Sequence, residues 1–124
     1  MILKRFIQTY IGKKVDFDNK YGAQCVDLYR QYCKDVLGIE QTPPVNGAKD
    51  IWGSPGKLKK CQAFEPGDIL IYDKTDKNPY GHVCILVSLI DTDTFVVFEQ
   101  NGFEQTGAKL AVRDRTNLIG GLYV

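Results

Sequence analysis

The chain is poor in several features, and each shortage narrows what it does. No basic stripe runs along it: sixteen basic and fifteen acidic residues are interspersed, for a net charge of +1. The electrostatic track that follows a phosphate backbone is therefore missing, and nucleic acid is not an expected partner. No apolar run is long enough for a membrane span, and no repeat, low-complexity tract or composition break divides the sequence. The first residues, Met1-Ile2-Leu3-Lys4-Arg5-Phe6, lack the apolar stretch and small-residue cleavage site of a secretory leader. There is one histidine, so any imidazole chemistry falls to His82.

What is present suits one soluble domain spanning residues 1–124, with 44% hydrophobic and 25% charged residues. A chain of this length buries roughly two thirds of its unfolded surface and needs no covalent staple. The four cysteines, Cys25, Cys33, Cys61 and Cys84, accordingly read as free thiols, three of them small buried hydrophobes. Cys33 follows Cys25 by two helical turns, about 12 Å, too far for a disulfide.

Periodicity divides the chain into a helical first half and a stranded second half. Leu3, Phe6, Ile7, Tyr10 and Ile11 recur at helical spacing before Gly12. After a polar segment, Cys25, Leu28, Tyr29, Tyr32, Val36 and Leu37 form a second stripe that Gly38 closes, with Cys25 in its first turn. Pro43 and Pro44 force extended backbone, and residues 48–52 allow a short third helix. Strand-like alternation then covers residues 68–73, 82–90, 95–101, 110–113 and 119–124. Helices followed by strands predict an α+β domain in which helices pack on an antiparallel sheet.

A thiol in the first turn of a helix faces unpaired backbone N–H groups and the positive end of the helix dipole, which favour the thiolate a nucleophile needs. On the strand that His82 opens, His82 and Cys84 share one face; on the next strand Glu99 and Asn101 share one face. A four-residue turn over 91–94 would pair Ile90 with Phe95, 82 with 103 and 84 with 101, so His82, Glu99 and Asn101 project from one side. A carboxylate or amide beside an imidazole fixes its tautomer and supports an imidazolium. In this plain register Asn101 lies diagonal to His82 and Glu99 a step further, so a bulge or twist is required if Glu99 is the partner.

Three strings, Tyr21-Gly22-Ala23-Gln24-Cys25-Val26-Asp27-Leu28, Tyr80-Gly81-His82-Val83 and Phe98-Glu99-Gln100-Asn101-Gly102, in this order resemble the CHAP family of cysteine, histidine-dependent amidohydrolases and peptidases. The resemblance implies a papain-like fold and hydrolysis of bacterial peptidoglycan, as in phage endolysins and autolysins, by an endopeptidase or an N-acetylmuramoyl-L-alanine amidase. It implies Cys25 as nucleophile, His82 as base and later acid, and Glu99 as the group orienting His82. Asn101 would assist in orienting the imidazole or polarise the carbonyl, and Gln24 with the Cys25 N–H would receive the oxyanion. With the missing leader, it implies a lysin made in the host cytoplasm that reaches the wall after holin-type release or with a virion, a monomer needing no redox cofactor. The alternatives are a papain-like protease or acyltransferase with a protein substrate, and a non-catalytic wall-binding module.

Asp16, Asp18, Lys20, Gly22, Gln24 and Asp27 fall at positions 1, 3, 5, 7, 9 and 12 of a window, the spacing with which an EF-hand loop wraps Ca2+. Carboxylates of Asp16, Asp18 and Asp27 suit that ion, and the carbonyls of Lys20 and Gly22 complete the shell as in calcium-binding members of the resembled family. Tyr21 replaces the usual glycine and Asp27 the usual glutamate, and a solvated acidic loop is the alternative. The expected role of the ion is positional. Trp52, Tyr80 and Phe103 are candidates to line a substrate groove, against the alternative that they are core.

Overall fold

Phe6 ties the two halves of the chain together. In the computed structural model, which describes residues 1–20, 22–101 and 106–124, its ring lies 5.3 Å from Tyr32 and 6.0 Å from Phe98, both edge-on, and is fully buried. It comes from α1 (Leu3–Tyr10), Tyr32 from α2 (Cys25–Tyr32), and Phe98 from the sheet. The apolar stripe of α2 continues as expected to Leu37, but as a π-helical turn over Cys33–Leu37 that Gly38 ends at φ 61°. A 3-10 helix, Ala48–Gly53, is the third helical piece. Between them Arg30 donates to the carbonyls of Thr42 and Pro43, satisfying backbone that the prolines keep out of regular structure.

Six strands come next: β1 (Lys59–Cys61), β2 (Ile69–Tyr72), β3 (His82–Leu89), β4 (Thr94–Glu99), β5 (Lys109–Asp114) and β6 (Leu118–Tyr123). Their order is β1-β6-β2-β3-β4-β5, and every pairing is antiparallel. The five strands expected from alternation are present; β1, short and mostly polar, carries no such signal. Chain geometry also requires the sheet to curl. In a flat sheet β5 and β6 would sit four strand spacings apart, about 19 Å, whereas the step from Asp114 to Leu118 spans at most about 14 Å. Tyr72 Oη donating to the Asp114 carbonyl at 2.7 Å and Asp73 N–H to Asn117 at 2.8 Å hold this closure.

Curling gives the sheet two unlike faces. Ile69, Ile71, Val83, Ile85 and Phe98 form the main core with Phe6, Leu28, Tyr29 and Tyr32 from the helices. Leu70, Tyr72, Cys84, Leu86, Phe95 and Val97 fill the concave face together with Phe64. The domain is thus α+β, with helices on the convex side of an antiparallel sheet.

The β3–β4 hairpin departs from the plain register in two places. Asp91 Oδ1 accepts from Asp93 N–H at 2.8 Å, closing a turn over 91–93, so Thr94 enters the strand and Leu89, not Ile90, pairs with Phe95. A bulge between Leu86 and Ser88 then moves the register again, giving Leu86↔Val97 and Ile85↔Phe98. Each one-residue shift would by itself turn the residues to the other face; together they restore the face and bring Glu99 opposite Cys84, diagonal to His82.

Candidate active site

The first turn of α2 presents Cys25. Gln24 is extended (φ −112°, ψ 166°) and its N–H donates to Asp27 Oδ2 at 2.9 Å, so the helix begins at Cys25. The thiol is half-buried, while the helix behind it is anchored through fully buried Leu28, Tyr29 and Tyr32. His82 is placed by the turn before β3. Gly81 has φ 74°, and a Cβ there would lie 2.4 Å from the Tyr72 carbonyl oxygen and 2.8 Å from Lys49 Cβ, so only glycine lets β3 start at this point. Asn78 Nδ2 donates to Gly81 O at 2.8 Å, and Lys49 N–H donates to Tyr80 O at 3.0 Å.

These elements bring sulfur, imidazole and carboxylate together. The Cys25 thiol stands beside the His82 imidazole and interacts with it, and His82 Nε2 lies 3.1 Å from Glu99 Oε1. Glu99 is buried, and burial alone would raise its pKa, but hydrogen bonds from His82 and Arg113 and their charges outweigh that and lower it to about 2. An ionised carboxylate only accepts, so Nε2 carries the proton and Nδ1 is left to face the sulfur. For His82, burial opposes the charged form, yet hydrogen bonds and charge from Cys25 and Glu99 raise its pKa to about 9. The site therefore favours an imidazolium at neutral pH.

Arg113 is the member of the site that sequence reasoning missed. Its Nε and Nη2 form a two-pronged ion pair with Glu99, the Nη2–Oε2 distance being 2.9 Å. The guanidinium also stacks 5.8 Å from the Tyr72 ring centroid, and that ring stands 6.5 Å from the imidazole. Strand alternation could have found it: β5 pairs Phe95 with Arg113, Val97 with Ala111 and Glu99 with Lys109, which puts Arg113 on the concave face with Glu99.

The other expected residues take varied positions. Gln24 is exposed directly before Cys25, and Asn101 is half-buried two residues past the end of β4. Tyr80 is exposed, two residues before His82. Trp52 packs over Gly120 of β6, two strands from β3, with Lys60 Nζ 4.7 Å from its ring centroid; its contacts there are those of packing. Tyr21, Gly102 and Phe103 lie outside the described residues. All four cysteines are free, but Cys61 is half-buried rather than core and faces Asp68 Oδ2 at 3.8 Å. Burial raises the thiols of Cys33 and Cys61 to about 11 and that of Cys84 well above its ordinary value, which leaves these three poor nucleophiles.

The acidic loop lies beside the same helix. Carboxylate oxygens of Asp16, Asp18 and Asp27 all lie within 4.8 Å of one another. Asp16 Oδ1 is buried with no hydrogen-bond partner among the described residues, an orphaned acceptor of the kind a cation satisfies. Burial, then the charges of Asp18 and Asp16, push Asp27 up to about 6 against hydrogen bonds from the Gln24 and Phe17 backbone. Asn19 (φ 57°) and Gly22 (φ 74°) curl the loop, and Asp18 Oδ1 accepts from Lys20 N–H at 2.9 Å. The donor set, hard oxygens on a tight loop, fits Ca2+.

Comparison with known proteins agrees with this geometry. A family model described as the CHAP domain matches residues 14–101. A D-alanyl-L-alanine endopeptidase of Streptococcus phage B30 is 35% identical over 86 residues, 62% of this chain and 19% of that protein. Endolysin PlyTW of Staphylococcus phage Twort is 30% identical over 106 residues, 77% of this chain and 22% of that protein. The chain thus spans about a fifth of the length of these curated relatives. The crystal structure of endolysin LysIME-EF1 superposes with a TM-score of 0.78 at 23% identity, covering 99% of this chain and 64% of that one.

Proposed function

Since this chain belongs to the CHAP domain family, we propose that it hydrolyses amide bonds of bacterial peptidoglycan through a Cys25 thiolate, as an endopeptidase or an N-acetylmuramoyl-L-alanine amidase. The observation that carries the reading is the contiguous line from Cys25 through His82 to Glu99. The relatives' names, an endopeptidase and an endolysin of phages, favour the wall as substrate. No helix among the described residues is long and apolar enough to cross a membrane, and on this reading the protein meets the wall after holin-type release or with a virion.

The steps are set by the groups present. His82, held as the Nε2–H tautomer by Glu99, takes the thiol proton at Nδ1 and gives a thiolate–imidazolium pair. The thiolate attacks the amide carbonyl carbon, and the oxyanion meets the Cys25 N–H at the start of α2, with the exposed Gln24 amide as second donor. The imidazolium protonates the departing amine, the C–N bond breaks, and a thioester remains. His82 then takes a proton from water, which attacks the thioester and frees the carboxylate and Cys25. Arg113, through its ion pair with Glu99, keeps that carboxylate ionised and aimed at the ring. Asn101 is assigned an assisting role near His82.

In the same reading Asp16, Asp18 and Asp27, with carbonyls of Lys20 and Gly22, hold Ca2+. The ion supplies neutralisation of three crowded carboxylates and a fixed start for α2, because Asp27 lies in the first turn with Cys25. The support is the orphaned Asp16 oxygen and the clustering of the carboxylates.

Mass spectrometry of fragments released from purified walls tests the reaction. New amino termini on glycine or D-alanine identify an endopeptidase, and a free muramoyl lactyl carboxylate identifies an amidase. No new termini, with the protein pelleting on intact walls, would replace the hydrolase by a wall-binding module.

A further inference from the structure

Glu99 and Gln100 are adjacent on one chain and face opposite ways. Glu99 reaches the imidazole from the concave face; Gln100, fully buried, reaches the loop and helix start on the other side. Its amide is used completely along both directions. Nε2 donates to Val15 O at 2.7 Å and to Gln24 O at 2.9 Å, while Oε1 accepts from Val15 N–H at 2.8 Å. Val15 precedes Asp16 of the acidic loop, and Gln24 precedes Cys25. The loop over 13–24 contains no helix or strand among the described residues, so its backbone groups depend on such partners. Among the described residues its backbone is also held by Asp27, which accepts from the Gln24 and Phe17 N–H groups, and farther off by Lys13 O, which accepts from Ala108 N–H at 2.8 Å.

We propose that Gln100 is a positioning residue that sets the approach of Cys25 to His82, by fastening the acidic loop and the first turn of α2 to the end of the strand whose previous residue holds the imidazole. A primary amide has the required two donors and one acceptor; a carboxylate of the same length lacks the donors, and asparagine is one methylene too short. Because residues 99 and 100 alternate across one strand end, they move together, so the helix start and the imidazole share a single reference point.

The inference rests on the thiol–imidazole reading, and its test includes a measurement that needs no substrate. His82 is the only histidine, so its imidazole gives one set of NMR resonances whose titration reports the groups around it: Cys25 from α2, Glu99 from β4, the buried Cys84 thiol from its own strand, and Arg113 and Tyr72 beyond. Gln100→Met removes the three hydrogen bonds without adding charge. Its His82 midpoint is expected to fall in the direction that Cys25→Ala moves it, because in both the sulfur no longer bonds the ring. Thr42→Val, which removes the buried 2.7 Å bond to Tyr29 one turn along α2 from Cys25 but touches neither the loop nor the end of β4, is the matched control and leaves the midpoint in place. On walls, turnover of Gln100→Met drops about a hundredfold, the cost of a reacting group displaced by an ångström, while half-saturation stays unchanged. If Gln100→Met does not fold, Gln100→Asn serves in the same comparison. A His82 titration identical to wild type in the folded variant, or one moved equally by Thr42→Val, overturns the positioning role. A moved titration with no wall lysis even by wild type would keep that role and remove the substrate assignment.

Discussion

Replacing Arg113 by methionine is the perturbation whose consequences the structure defines most fully. The substitution keeps the length that lies along Tyr72 but removes the ion pair with Glu99, whose side chain is 4% exposed. Glu99 sits at about 2 instead of 4.5, a difference worth on the order of 3 kcal/mol, shared between His82 and Arg113. Arg113 is one-third exposed, so water screens part of its share, yet stranding a buried carboxylate with one partner is itself costly. Together these predict about 2 kcal/mol lost at pH 7. The sign with pH is set by Glu99 being depressed: its contribution is complete above 4.5 and lost as pH falls through about 2. In Arg113→Met the carboxyl moves upward toward 4.5, so the acid-dependent loss is smaller and is complete at a higher pH, and the acid limb of wall lysis shifts to higher pH. Urea unfolding of both proteins between pH 3 and 8, beside pH–activity profiles, measures this. Equal stability and superimposable acid limbs would refute the idea that Arg113 holds Glu99 ionised.

Other outcomes are expected on the same grounds. His82 is raised to about 9, so its stabilising share is complete below its ordinary 6.5 and fades as pH rises through 9; the stability gap between wild type and His82→Gln should narrow over that interval in denaturant titrations. Calcium should raise the melting temperature and chelator should reduce lysis, while Asp16→Asn abolishes both responses; calorimetry showing no calcium-dependent melting would remove the metal. Phe6→Ala, which empties the contact among α1, α2 and β4, should cost about 3–5 kcal/mol without moving the pH profile.

The parts of the site that could be read from sequence are those fixed by local pattern. Cys25 falls at a helix start because the stripe through Leu28, Tyr29 and Tyr32 begins there, and His82 shares a face with Cys84 because strands alternate. Glu99 was legible in face but not in distance, since the turn over 91–93 and the bulge before Ser88 are set by hydrogen bonding and sheet curvature. Alternation on the paired strands β4 and β5 puts Arg113 on the face of Glu99, but that register is not written in β5 alone, and Gln100 is buried because the segment around Val15 packs on it. Both depend on which segments the fold brings together. The π-helical end of α2 and the polar strand β1 escaped for the same reason: tertiary contacts, not propensity, stabilise them.

The central claim is that Cys25 and His82 act as one unit on the wall. Clearance of a purified cell-wall suspension by wild type, Cys25→Ala and His82→Ala, each shown to be folded, tests it most directly. The account predicts clearance by wild type alone, with both variants slower by at least about a thousandfold; clearance by folded Cys25→Ala at the wild-type rate would contradict it.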